Sequence, residues 1–257
     1  WGRLAAIDLA AVETAAGLRE PAGDLVELPL DDERLSGSLE EVIARRVKFL
    51  TGYQNAAYAK RYTDLVEAVR SAEQAKAPGS TALTEAVARY YFKLMAYKDE
   101  YEVARLYTDS DFLKKIEQQF EGDYKVHLNL APPLLAKRDA DGHLVKREYG
   151  TWMLRAFGVL AKFRGLRGTA FDIFGRTEER KMERALIEQY RGDIERLLGE
   201  LDPARLDLAV KIASVPEQVR GYGHVKEAHV ERAKALREEL LAAWADPATQ
   251  AREASAA

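Results

Sequence analysis

The densest run of residues able to do polar chemistry is "TEAVARYYFKLMAYKDEYEVARLYTD", residues 84–109. Read as one helix, it places Val87, Tyr91, Leu94, Lys98, Tyr101 and Arg105 on a single face at alternating spacings of four and three. Lys98 then reaches Glu102 at i+4, and Glu102 reaches Arg105 at i+3. A charge on an otherwise aromatic and aliphatic face is tolerated only when paired and hydrogen-bonded. Lys98, Glu102, Arg105, Tyr101 and Tyr91 are therefore read as an internal ion-pair network with tyrosine hydroxyls as further partners. The competing reading is a polar pocket or a contact with an adjoining domain.

Two glycine-bearing stretches offer cations to an anion. In "FRGLRGTAFDIFG" (163–175), Arg164 and Arg167 sit beside Gly165 and Gly168, in a loop able to bend around a negative charge. The same glycines also read as helix terminators, and the pattern matches neither a P-loop nor a dinucleotide fingerprint. In "PEQVRGYGHVKEAHV" (216–230), Arg220 and Lys226 flank glycines that open a long helix, where free N–H groups can meet a phosphate. No strand precedes it, so the simpler reading is a tight helix–helix corner. Tyr222 would be its packed anchor, with positive φ at Gly221 or Gly223.

The remaining candidates are weaker. His224 and His229 are five residues apart and diverge on a helix, and H-E-x-x-H is absent. No G-x-S-x-G elbow occurs. His127 and His143 read as solvent-facing. No residue is assigned as a catalytic group or a metal ligand.

These residues need elements to hold them, and helical periodicity dominates. Ser38, followed by Glu40 and Glu41, caps a helix with Leu39, Val42, Ile43, Val47 and Leu50 on one face. The pattern resumes past Gly52 through Tyr58, Tyr62, Leu65 and Val69, and "APGS" (77–80) breaks it. A helix starting at Thr81 or Thr84 is expected to run to about Tyr107. Between them and later helices at 151–163, 177–201, 203–215 and beyond Gly223, "YKVHLNL" alternates as a half-buried strand. Asp141-Gly142 signals a hairpin. The predicted fold is mainly α, a multi-helix domain with a small antiparallel β element near 124–148.

Composition narrows the function classes. With 39 basic and 42 acidic residues the net charge is −3, so nothing draws the whole chain to nucleic acid or an anionic membrane. No apolar run approaches a bilayer span. There are no cysteines, which removes disulfides, thiolate zinc sites and cysteine-ligated iron–sulfur clusters, and fits a cytoplasmic protein. The start on Trp1, with no initiating Met, suggests a piece of a longer chain.

Four stretches carry a family resemblance: "RYYFKLMAYKDEYEVARLYT" (89–108), "FEGDYKVHLNLAPPLLAKRD" (120–139), "RGLRGTAFDIFGRTEERKMER" (164–184) and "PEQVRGYGHVKEAHV" (216–230). Together they resemble the C-terminal domain of the long, fused indolepyruvate ferredoxin oxidoreductases, within the 2-oxoacid:ferredoxin oxidoreductase family. The resemblance covers about residues 38–245. "WGRLAAID" looks like the end of the preceding gamma-type domain. With the Pro- and Gly-punctuated stretch at 20–37 read as a linker and the small, polar 246–257 as a disordered tail, the resemblance implies 1–37 as that end plus the linker and 38–245 as the helical C-terminal domain. Such enzymes decarboxylate aryl-pyruvates oxidatively with coenzyme A, thiamine diphosphate and magnesium, passing electrons through iron–sulfur clusters to ferredoxin. The resemblance carries over no catalytic or cofactor-binding residue. It implies a non-catalytic domain packing on the gamma-type domain; the alternative is an autonomous binding or regulatory module for a small anion or a protein partner.

Overall fold

The computed structural model describes residues 37–108, 114, 118–119, 125–131, 145–221 and 223–246. The expected linker, the Asp141-Gly142 turn, His143, the side chains of Tyr222 and His224, and the tail from 247 lie outside the described residues. The chain divides into two compact units, Trp1–Glu40 and Glu41–Ala257, and the second is the subject below.

The predicted class holds: helices carry the fold and a two-stranded antiparallel sheet interrupts them. In chain order come α1 (Leu39–Tyr53), α2 (Ala56–Lys76), α3 (Ala82–Met95), α4 (Glu100–Thr108), β1 (Leu128–Leu130), β2 (Arg147–Tyr149), α5 (Trp152–Lys162), α6 (Glu178–Gly199), α7 (Leu206–Ser214) and α8 (Gly223–Ala245). β1 pairs with β2 in the register Leu128↔Tyr149 and Leu130↔Arg147. Leu128 turns inward onto Met153 and Phe157 of α5 and Ala104 of α4, while Asn129 faces outward, as the alternation predicts. Two strands this short bury too little to stand alone, so the helices beneath them supply their stability.

Local chemistry sets the helix ends. α1 runs through Gly52 and stops at Tyr53, because Asn55 turns its side chain to accept the amide of Tyr58 at 2.8 Å and starts α2. Thr177 caps α6 by accepting from the Arg180 amide at 3.3 Å. The start of α3 is capped from another helix: buried Glu73 of α2 accepts from the amides of Leu83 (3.0 Å) and Thr84 (2.9 Å) and from the hydroxyls of Ser80 (2.8 Å) and Thr84 (2.6 Å). Burial alone would raise its pKa, yet those donors bring it below the ordinary glutamate value.

The core is rich in tyrosine. Tyr91 of α3 stacks between Tyr62 of α2 (6.3 Å between centroids) and Tyr190 of α6 (5.8 Å). The hydroxyls of Tyr62 and Tyr190 donate to the carbonyls of Ala88 (3.1 Å) and Ala213 (2.9 Å), so these two rings keep their polar tips paired, whereas the buried hydroxyl of Tyr91 between them makes no hydrogen bond among the described residues. At the far end, buried Trp244 of α8 lies under the Arg205 guanidinium at 3.6 Å and donates its indole N–H to Glu200 at 2.7 Å.

Candidate anion-binding cleft

The single helix expected from Thr84 to Tyr107 is two helices. α3 ends at Met95 and α4 begins at Glu100. Asp99 causes the break by capping α4: its carboxylate accepts the Glu102 amide at 2.9 Å and its backbone carbonyl accepts from Val103 at 2.9 Å. The hydroxyls of Tyr58 and Tyr53 occupy the carbonyls of Met95 (2.9 Å) and Tyr97 (2.8 Å) where α3 stops.

That break redistributes the expected network. Glu102 is buried and accepts two hydrogen bonds from Arg105, both at 2.8 Å, with Arg105 lying 4.9 Å over the Phe49 ring. Tyr101 is also buried and donates to Asp172 at 3.3 Å; burial and then the nearby Asp172 push its pKa up to about 12. Tyr91 belongs to the aromatic stack instead. Lys98 is exposed, because the turn at 96–99 rotates it off the shared face.

The 163–175 loop does bend around an anion, but the anion is its own. Asp172 is buried and accepts from the amides of Gly168 (2.8 Å) and Gly175 (2.9 Å). Arg167 is buried and fully engaged: Nε and Nη2 meet Asp99 at 2.5 and 2.8 Å, Nη1 donates to the Tyr53 carbonyl at 2.7 Å, and the guanidinium stacks 3.6 Å over the Tyr53 ring. Burial opposes its charge, yet the Asp99 pair outweighs that and raises its pKa. Arg167 is thus a structural clamp between α1, the α3–α4 turn and the loop, and no free anion ligand. Arg164 is half-buried and reaches the Ala161 carbonyl at 3.4 Å.

The other candidates converge. Gly221 takes φ +86°, making the expected corner, and a Cβ there would come within 2.8 Å of Val225 Cγ1. That corner forms one wall of a cleft of about 320 Å³. Lys93, Lys98, Arg220 and Lys226 line it, around a floor of Leu94, Tyr97, Leu186 and Val219, with Glu183 as the acid among them. Lys93 donates to the carbonyls of Pro216 (2.9 Å) and Glu217 (3.2 Å), fixing the end of α3 to the corner. Arg220 donates through Nε to the Glu217 carbonyl at 3.1 Å. Lys226 pairs with Glu183, whose other oxygen takes Arg180 at 2.5 Å, and Arg180 also lies 3.7 Å from Glu100. Among the described residues no group of three or more His, Asp or Glu could hold a metal ion.

Over residues 39–239 the chain matches the model of DUF6537, a family of unknown function. The chain belongs to that family. No curated protein and no solved structure matches it. The DUF6537 match spans α1 to most of α8, so the cleft and the clamps all lie inside it. Among the described residues no helix is long and apolar enough to cross a membrane.

One surface of the DUF6537 domain escaped the sequence reading. α5 buries Met153, Phe157 and Ala161, but Trp152, Val159 and Phe163 are each more than half exposed. With Arg155, Ala156 and Lys162, also exposed, they follow i, i+3, i+4, i+7, i+10 and i+11 along one outward stripe. No acidic residue occurs between Glu148 and Asp172, so this face is apolar and basic. Its apolar residues are numerous enough to mask the amphipathic pattern, which is why it read only as a helix. Lys93 and Glu183 were likewise missed, since they enter the cleft from α3 and α6 and no local spacing links them to Arg220.

Proposed function

We propose that this chain is a non-catalytic helical domain of a cytoplasmic, thiamine diphosphate-dependent 2-oxoacid:ferredoxin oxidoreductase of the indolepyruvate type, and that it packs through α5 against the rest of that enzyme. The observation that carries the reading is the outward Trp152–Val159–Phe163 stripe, ringed by Arg155 and Lys162. A contiguous apolar face with one sign of charge is what a protein contact leaves when its partner is removed. The sequence resemblance names the partner: the remaining domains of such an enzyme, the gamma-type domain above all. A second support is what the quoted segments do. Asp99, Tyr101, Arg167 and Asp172, four polar residues from two of them, bind within the fold.

Thiamine diphosphate, magnesium, coenzyme A and the clusters would then belong to the parent enzyme, which passes electrons to ferredoxin. With no cysteine in this chain, thiolate ligation of a cluster has to come from elsewhere in that enzyme.

Reconstitution tests this. The parent enzyme expressed without residues 39–239 should regain indolepyruvate- and coenzyme A-dependent dye reduction when the separate chain is added. The chain alone should reduce no dye. Trp152→Glu with Val159→Glu should keep its melting temperature and lose co-purification. Dye reduction by the chain alone, or undiminished association of the double variant, refutes the proposal. The cleft favours one further reading, an autonomous module for a small anionic ligand.

A further inference from the structure

We infer that the cleft between α3, α6, the 216–221 corner and Lys226 of α8 is a binding site for an organic phosphate, its phosphate or diphosphate group held by Lys93, Lys98, Arg220 and Lys226 and its apolar body resting on Leu94 and Tyr97. This does not depend on the domain assignment above and is tested by binding, never by turnover.

Charge carries the argument first. The chain as a whole is net negative, yet this cleft gathers four cations, with Glu183 as the acid of its lining and the Glu217 carboxylate 3.5 Å from Arg220. Buried or half-buried cations elsewhere are answered within the fold: Arg167 by Asp99, Arg105 by Glu102 and Arg237 by Asp193. Here the carboxylate of Glu183 is shared between Lys226 and Arg180, so it cannot neutralise the cleft.

Donor capacity comes next. An ammonium has three N–H donors. Lys93 places two on the carbonyls of Pro216 and Glu217, which orients the group and leaves one. Lys226 places one on Glu183, leaving two. Arg220 uses Nε on the Glu217 carbonyl and makes only a long 3.5 Å contact from Nη2 to the Glu217 carboxylate, at an exposed position. Lys98 adds an exposed charge to the lining. These cations are positioned by backbone carbonyls and by the carboxylates of Glu183 and Glu217, with donors remaining for an incoming group. A phosphate or diphosphate, with several acceptor oxygens and more than one negative charge, matches that arrangement better than a monoanionic carboxylate.

The floor and the corner complete it. Leu94, Leu186 and the largely buried Tyr97 give the cleft an apolar base. Gly221, with its positive φ, brings the chain round so that α8 opens at the cleft with Lys226 in its first turn. The first amides of a helix favour an anion in the same direction as the side chains.

The test is calorimetric titration of the full chain with inorganic pyrophosphate, ADP and coenzyme A. Saturable binding is expected for all three, tighter for the two that carry an organic body. Lys98→Gln with Arg220→Gln, both exposed, should keep the melting temperature and weaken each ligand at least about tenfold, as expected for losing two charge-assisted contacts. Lys181→Gln removes an exposed cation outside the cleft and should change nothing. Equal affinity for pyrophosphate and ADP would leave the phosphate as the recognised group and overturn the apolar part of the inference. No saturable binding up to about 5 mM, or equal weakening by Lys181→Gln, overturns it altogether.

Discussion

Replacing Arg167 with alanine is the sharpest test of whether the 163–175 loop is architecture or a ligand site. The guanidinium makes two hydrogen bonds to Asp99 and one to the Tyr53 carbonyl, and it lies 3.6 Å over the Tyr53 ring. Its loss leaves the Asp99 carboxylate, itself buried, without its cation. Removing one partner of a buried pair costs about 3–5 kcal/mol, mostly the penalty on the charge left behind. The stacking on Tyr53 adds about 1 kcal/mol or more when desolvated. Part of this overlaps, and water entering the cavity returns some, so a net loss of about 4 kcal/mol is expected. For a domain of this size that lowers the melting temperature by about 8–16 °C. Thermal and urea unfolding followed by circular dichroism measure it. A double-mutant cycle with Asp99→Asn should show coupling of about 2–3 kcal/mol, because the second change removes the stranded charge. If Arg167→Ala lowered the midpoint by less than about 2 °C while weakening anion binding, Arg167 would be a ligand residue and the structural account would be wrong.

Three further outcomes follow from the same structure. Glu102→Ala removes the carboxylate that takes two hydrogen bonds from Arg105, whose side chain is only 14% exposed, and should cost about 2–4 kcal/mol in urea unfolding; an unchanged midpoint would place the pair on a solvated surface. Glu73 has a folded-state pKa below its unfolded value near ~4.3, so its contribution is full above that value and lost as pH falls through the lower, folded one. Glu73→Gln should therefore lower stability at pH 7 and flatten the acid limb of melting temperature against pH, and parallel limbs would contradict the capping account. Gly221→Ala must adopt a left-handed backbone and push Val225 aside, for a loss of about 1–2 kcal/mol by thermal melting; a stabilised variant would mean that the corner is not held in this conformation.

Most of the helical frame was readable from periodicity and breakers. The break near Gly52, the helix start at 177 and the "APGS" stretch fall within a few residues of where the structure punctuates it, although the caps Asn55 and Thr177 emerge only in the structure. The helix across residues 96–99 was misread because "DEYE" already carries its own start signal: Asp99 followed by Glu102 is an acceptor–x–x–Glu capping pattern inside an apolar run. Continuous periodicity on both sides hid it. Missing that one cap misplaced Lys98, since a turn between two helices breaks the phase relating 94 to 98. The pairing of Asp99 with Arg167 could not be read at all, as it joins positions 68 residues apart. The cleft is harder still. Lys93, Glu183 and Arg220 come from separate elements, and each alone reads as an ordinary surface charge.

That clustering has a consequence for protons. Lys93 faces Arg220 and Arg89 as like charges and Glu217 as an opposite one, and burial first, then Arg220, lower its pKa below the ordinary lysine value. An anion bound beside it favours the ammonium and moves the pKa back up. Binding should therefore take up protons at pH values between the lowered pKa and the ordinary one near ~10.4. Affinity should rise as pH falls through that interval and level off below it, where Lys93 is already charged in the free chain. Titrating pyrophosphate in two buffers of different ionisation enthalpy reads the proton number directly. Lys93→Arg, which stays charged throughout, should lower the proton uptake relative to the unchanged chain while keeping the binding, the protons exchanged by pyrophosphate itself being common to both. A proton number unchanged in Lys93→Arg would assign the linkage to another group and remove Lys93 from the anion's coordination.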